Sequence, residues 1–165
     1  MTRRLLGLKC AVVLAAATAL AQQPTVHTRP PDVQGSRQVE KSTETGVVRD
    51  YLQSWKTMND ALGTNNPGLL DAYFVGTARE KLAATIADQA KLQLQTRYRD
   101  RSHDLQIIFY SPEGLSIQLV DTVQYDEEVV EKGKVLTTKQ ITQRYLVVLT
   151  PSEVRWRVRI IQPQV

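Results

Sequence analysis

Two apolar runs close the chain, residues 141–149 and 154–161, separated by Thr150, Pro151, Ser152 and Glu153. In the second run Val154, Trp156, Val158 and Ile160 alternate with Arg155, Arg157 and Arg159, the period of two that a strand with one buried face requires. The pattern predicts a β-hairpin in which Leu149 pairs with Val154, Val147 with Trp156 and Tyr145 with Val158, an all-apolar register. The face bearing Trp156 is expected to turn inward onto a helix that starts at Thr77.

Earlier in the chain the spacing is helical. Val47, Val48, Tyr51, Leu52, Trp55, Met58 and Leu62 recur at three and four residues and draw one stripe along a helix, with Gly63 placed to cap it. Asn66-Pro67 opens a short second helix carrying Leu69, Leu70, Tyr73 and Phe74, ended by Gly76. Thr77-Ala78-Arg79-Glu80 has the form of a capping box. The helix it opens buries Leu82, Ala83, Ile86, Ala87, Ala90 and Leu94 and runs to about Arg99.

From Ser102 the period returns to two, with Leu105, Ile107 and Phe109 on one strand and Leu115, Ile117, Leu119, Val123 and Tyr125 on the next. The intervening Pro112-Glu113-Gly114 loop sets Phe109 opposite Ile117, Ile107 opposite Leu119, Leu105 opposite Asp121 and His103 opposite Val123. A turn at Lys132-Gly133 leads to the third strand. Taken alone, a two-residue turn there opposes an inward face to an outward one, so a bulge is expected over residues 126–129. The fold class is α+β: three N-terminal helices packed in a curved four-stranded antiparallel sheet, a cone-like roll.

The first 21 residues change the reading of charge. Arg3 and Arg4, a brief apolar core and an Ala19-Leu20-Ala21 end have the layout of a secretory signal peptide, and the apolar part is too short to span a bilayer. Its removal leaves 18 basic against 17 acidic residues, a net charge of +1 in place of +4, which gives no ground for a nucleic-acid partner. It also removes Cys10, the one cysteine, and with it disulfides, thiolate metal sites and a cysteine nucleophile. Residues 22–45 hold Pro24, Pro30, Pro31 and Gly35 and few large apolar groups, and are expected to be a disordered linker. Residues 46–163 then form one domain, exported to a periplasmic or extracellular compartment. Membrane contact is expected only through an uncleaved signal segment.

Three helices followed by a curled antiparallel sheet, ending in Trp156-Arg157-Val158-Arg159-Ile160, resemble the nuclear transport factor 2-like (SnoaL-like) superfamily over most of residues 46–163. The Tyr51 and Trp55 pair in a Y-x-x-x-W pattern is also similar to relatives that act as membrane-linked assembly modules. The resemblance implies a sheet wrapped around a long helix to leave a cone-shaped pocket, in a superfamily that includes isomerases, dehydratases and domains with no activity. Fold alone therefore assigns no function.

The residues offer three candidate sites. His103 and Asp121 fall on the core-facing side of adjacent strands, within reach of a His–carboxylate hydrogen bond, and are the candidate catalytic acid–base pair; a frayed strand end and an aspartate satisfied by neighbours is the structural alternative. Tyr51, Trp55, Tyr73, Tyr98 and Tyr125 are candidates to line a pocket for a small apolar ligand, or to be core. Ile108, Tyr110, Leu146, Val148, Arg155, Arg157 and Ile161 share an outer face, half apolar and half arginine, that suits a protein contact or homodimer. Asp126-Glu127-Glu128 lacks the alternating ligands and glycine turn of a calcium loop, and no metal or cofactor is expected. The reading is an exported binding or assembly module without turnover. The competing reading is a cofactor-independent isomerase, dehydratase or hydrolase using Asp121 as base and His103 or a tyrosine as acid.

Overall fold

The computed structural model describes residues 23–33 and 37–164; the export signal expected over residues 1–21 lies outside them. Two helices, α1 (Lys41–Thr64) and α2 (Gly76–Lys91), flank a 3-10 turn at Pro67–Ala72. One sheet holds β1 (Thr25–Thr28), β2 (Leu94–Tyr110), β3 (Ile117–Glu131), β4 (Lys134–Pro151) and β5 (Trp156–Gln164), in that order. Only β1 is parallel to its neighbour; the four long strands form an antiparallel meander. No helix among the described residues is long and apolar enough to cross a membrane.

The α1 stripe behaves as its spacing requires. Val47, Tyr51, Trp55, Met58 and Leu62 are all buried, and they meet Leu105, Ile107, Leu119, Val123, Val147, Leu149 and Val158 from the sheet in one core. Asn65, not Gly63, takes the left-handed conformation after the helix (φ 52), and the next N–H, of Asn66, donates to Ala61 O at 3.0 Å. Asparagine tolerates that conformation, and its side chain is used as well: Asn65 Nδ2 donates to Leu94 O. Asn66 then caps the 3-10 turn by accepting from Gly68 N–H, and Pro67 follows it.

Four expectations need correction. First, the Thr77 capping box does not form, because α2 begins at Gly76 (φ 52) behind Val75 and has no side-chain cap. Its entry is set instead by β5: Val158 N–H donates to Tyr73 O at 2.7 Å and Val75 N–H to Val158 O at 2.9 Å. Second, α2 stops at Lys91, and residues expected in its last turns start β2 at Leu94. The 15-residue β3 offers this segment pairing as far as Glu131, and Arg97 and Arg99 fall opposite Glu128 and Asp126. Tertiary pairing outweighs helix propensity here.

Third, the β4–β5 turn is displaced by two residues along the chain, to residues 152–155. Ser152 N–H donates to Arg155 O and Pro151 pairs with Trp156, so Leu149 faces Val158, four residues further along the chain than Val154, which stands 75% exposed in the turn. Fourth, residues 22–45 are not all linker. Residues 25–28 form β1 along β2, Arg29 N–H and Asp32 N–H donate to Leu105 O and Ile107 O, and α1 already begins at Lys41. Backbone pairing at a sheet edge needs no buried side chain, and all four β1 residues are exposed. The sheet thus has five strands where four were expected.

Bulges give the sheet its curl and decide which side chains enter the core. On β2 the register shifts at Arg101 and Ile108; between them His103–Val123, Leu105–Asp121 and Ile107–Leu119 pair as expected, but beyond Ile108 Phe109 meets Gln118 and Tyr110 turns inward opposite Ile117. The bulge expected over residues 126–129 is not there, since those residues pair regularly with 140–137; the β3–β4 register shifts instead at Leu136 of β4, next to the Lys132-Gly133 turn. A shift at Arg159 sends Ile160 outward and Ile161 inward.

One side chain pins β5 to α1. Asp50, 4% exposed, accepts from Trp156 N–H at 2.8 Å through Oδ2 and from Arg49 Nε at 2.9 Å through Oδ1. Asp50→Ala leaves the Trp156 amide without its acceptor and is expected to cost about 1–3 kcal/mol in urea denaturation. Asp50→Asn, which retains an acceptor, is expected to cost less; equal losses for both would show that the amide contact is not what the aspartate supplies.

Candidate functional site

The inner face of β3 carries Asp121 between Leu119 and Val123, and the register of β2 brings His103 diagonally beside it. His103 Nδ1 lies 2.7 Å from Asp121 Oδ2, and Tyr51 of α1 donates its phenolic proton to the same oxygen at 2.8 Å. The side chains of His103 and Asp121 are 1% and 0% exposed. Asp121 Oδ1 has no protein partner. Burial pushes the Tyr51 phenol well above its ordinary range and the Asp121 carboxylate adds to the shift, so this phenol stays protonated and serves as a donor.

A second polar pair lies beside the first. Trp55 Nε1 donates to Asp100 Oδ1 at 2.8 Å, and the indole stands edge-on to His103 at 5.4 Å, Tyr125 at 5.8 Å and Tyr145 at 5.7 Å, with Tyr98 tilted against it at 6.0 Å. The Tyr125 and Tyr145 hydroxyls are 3.3 Å apart. Burial is the main cause that raises Tyr98, Tyr125 and Tyr145, reinforced at Tyr98 by the Glu127 carboxylate. Such edge-to-face clusters contribute beyond their buried area and fill the concave side of the sheet.

Of the five aromatic candidates, Tyr51, Trp55, Tyr98 and Tyr125 converge on this centre. Tyr73 does not: it sits after the 3-10 turn with the Arg155 guanidinium 4.7 Å above its ring. Two members of the cluster lie outside the expected set. Tyr145 belongs to the same inner row, and Asp100 falls in a segment whose composition suits a helix, while the Arg101 bulge that aims it has no signature in the pattern.

The expected outer contact face is altered as well. Tyr110 and Ile161 point inward, Tyr110 edge-on to Trp156 at 6.3 Å with Arg37 over its ring. Arg157 donates to Asp71 O at 2.6 Å and Phe74 O at 3.2 Å, so with Arg155 it clasps the end of the 3-10 turn, where carbonyls accumulate. Leu146 and Val148 remain outward with Val120 between β2 and β4, and Ile108 sits at its bulge.

Two open clefts lie away from the acid–base centre. One of about 290 Å³ runs between β1 and the start of α1, lined by Thr28, Lys41, Glu44, Thr45, Val48 and Arg49. One of about 440 Å³ lies between the end of α1 and β2 and reaches the aromatic cluster only at Tyr98. Among the described residues no three His, Cys, Asp or Glu side chains are placed to hold a metal ion.

The asymmetry between Asp100 and its surroundings predicts a pH effect. Burial raises the Asp100 carboxyl above its ordinary value, only partly offset by the Trp55 hydrogen bond. The folded state therefore holds this proton more tightly than the unfolded chain, and its contribution to stability falls as pH rises from about 4 through the folded pKa. Asp100→Asn keeps an acceptor for Trp55 and removes the charge. It is expected to raise the melting temperature at pH 7, with the gain fading below about pH 4; a gain independent of pH would place its origin elsewhere.

Helices held in a curled antiparallel sheet, with a polar centre inside the curl, define the nuclear transport factor 2-like (SnoaL-like) cone fold, and this chain has it. The intermembrane-space region of the chloroplast protein ARC6 superposes with a TM-score of 0.61 at 15% identity, covering 77% of this chain and 98% of that one. A Novosphingobium aromaticivorans protein named for scytalone dehydratase gives 0.52 at 13% identity over 76% of this chain and 89% of its own. Aln2 from a Streptomyces species gives 0.50 at 15% identity over 77% and 94%. At these identities the likeness concerns the fold alone. No family model and no curated protein matches the sequence.

Proposed function

We propose that this chain is an exported, non-catalytic binding or assembly module built on the cone fold. One observation carries the reading: the acid–base pair of the interior, His103 and Asp121, is sealed, with Trp55 and three tyrosines occupying the space in which a substrate would have to stand. A general base needs hydrogen-bond reach to the proton it removes, and the side chains of His103 and Asp121 are enclosed, with the clefts beside β1 and at the end of α1 lined by other residues. Export rests on the signal-like residues 1–21, and the likeness to an intermembrane-space region is compatible with it.

A second reading, a cofactor-independent isomerase, dehydratase or hydrolase, is favoured by the unpartnered Asp121 Oδ1 beside a histidine and a phenol. Native mass spectrometry of the protein from its own periplasmic or culture fluid, with the NMR signals of His103 and Trp55 followed as aromatic and steroid-like probes are added, separates the two. The module reading expects no bound small molecule and unmoved signals. Saturable shifts at both residues would place a ligand against the acid–base pair and replace the module reading with the enzyme reading.

A further inference from the structure

The β4 strand is paired on both sides only in part. Its C-terminal half, residues 144–151, lies between β3 and β5, but residues 134–143 pair with β3 alone, and the opposite edge carries no strand among the described residues. The corresponding stretch of β2 is closed differently: Asn59 of α1 donates to Tyr98 O and accepts from Tyr98 N–H, and Asn65 donates to Leu94 O. The fold thus satisfies one border of this three-stranded arm and leaves the other open. Residues 134–140 are exposed on both faces, with Val135 at 41% and Leu136 at 51%.

An open strand of this kind is a template for another strand, and proteins commonly block such edges with lysines. The lysines here do not act as an unopposed barrier, because Lys134 is paired across β3–β4 with Glu131 and Lys139 with Glu127. The edge is close to neutral and rich in residues suited to strands: Val135, Leu136, Thr137, Thr138, Ile141 and Thr142.

We propose that residues 134–143 pair antiparallel with the same residues of a second copy of this chain, joining two sheets about a two-fold axis at Thr138. The register follows from three constraints. Equivalent faces must stay together across the axis, so paired positions have the same parity. The contact is limited by the Lys132-Gly133 turn at one end and by β5 at the other, which puts its centre near Thr138 or Lys139. Centring on Lys139 would oppose two lysines, whereas centring on Thr138 sets Lys139 against Thr137, Lys134 against Thr142 and Val135 against Ile141. Because residues 140–142 face 136–134 in this register, the Leu136 bulge confines the regular part of the ladder to residues 137–139.

Thr138→Cys in the exported protein, which has no other thiol once Cys10 is removed with the signal segment, tests the register. Directly opposed strand residues lie within disulfide reach, so air oxidation should give a covalent dimer, while Lys134→Cys in the same background should give none. Sedimentation equilibrium of the unaltered protein should show a reversible dimer, and Thr138→Lys should weaken it by ~tenfold or more with an unchanged circular dichroism spectrum. A monomer at roughly 200 µM, near the weak end of specific self-association, overturns the proposal. So does a dimer that resists Thr138→Lys and gives no cross-link in the Thr138→Cys variant, since its contact must then lie elsewhere, the outer face around Leu146 and Val148 being the next candidate.

Discussion

Asp121→Ala is expected to lower the stability of the domain by about 3–5 kcal/mol, the range for removing one partner from a buried charged or hydrogen-bonded pair. The carboxylate is fully enclosed and one of its oxygens serves both Tyr51 and His103. Truncation strands a phenolic proton and an imidazole nitrogen in a sealed interior, and each unmade bond carries the desolvation cost of its group. Asp121→Asn should be far milder. Its carbonyl oxygen can take the Oδ2 position and accept from Tyr51, leaving the amide nitrogen where Oδ1 already lacks a partner. Equilibrium urea unfolding of Asp121→Ala, Tyr51→Phe and the double variant measures the coupling. The losses should be sub-additive, because Tyr51→Phe removes a donor that Asp121→Ala has already orphaned. Strict additivity would mean that the 2.8 Å contact contributes nothing. A stabilising Asp121→Asn would instead mark a carboxylate held at a cost in stability, the property expected of a functional group, and would favour the enzyme reading.

How far the fold and the site are legible in the sequence depends on which kind of information each element carries. The α1 stripe and the strand faces around His103 and Asp121 follow from periodicity, but the loop does not set their pairing: Ser111 meets Ser116 and not Leu115, and the inserted Ile108 restores the counted register. The count nevertheless lands on the His103–Asp121 contact, because a loop one residue longer than expected and a one-residue bulge cancel. What periodicity does not encode is an inserted residue. Arg101, Ile108, Leu136 and Arg159 each reverse the inward face of the residues after them, which is why Asp100 escapes a reading of the pattern and why Tyr110 and Ile161 are expected outside. The start of β2 is hidden for a different reason. Residues 94–100 have a composition compatible with helix, and only the presence of β3 as a long partner commits them to a strand. The arginines of β5 alternate as a solvated row would, yet Arg157 finds the carbonyls of Asp71 and Phe74, a long-range contact with no local signature.

Trp55→Ala should cost a comparable loss of about 3–5 kcal/mol, and it bears most directly on what the cone is for. The indole is 2% exposed and stands against the rings of Tyr98, Tyr125 and Tyr145 and the imidazole of His103 at centroid distances between 5.4 and 6.0 Å. Removing it exchanges those contacts for a void and deprives the Asp100 carboxylate of its N–H donor. The walls cannot close easily, because His103 and Tyr51 are tied to Asp121 and Tyr125 to Tyr145. A void that persists is a binding site for the group that was removed. Indole added to Trp55→Ala should therefore raise its melting temperature, by the equivalent of about 2.7 kcal/mol at a hundredfold excess over the dissociation constant, while leaving the unaltered protein unmoved. If Trp55→Ala cost less than about 1 kcal/mol, or indole stabilised the unaltered chain equally, the interior would already contain usable space, and a sealed cone could no longer support a module without turnover. The size of this one loss thus ranks the two readings of His103 and Asp121: a large loss with rescue means that the chain spends its pocket on packing an aromatic core, so recognition must be carried by its surfaces and strand edges.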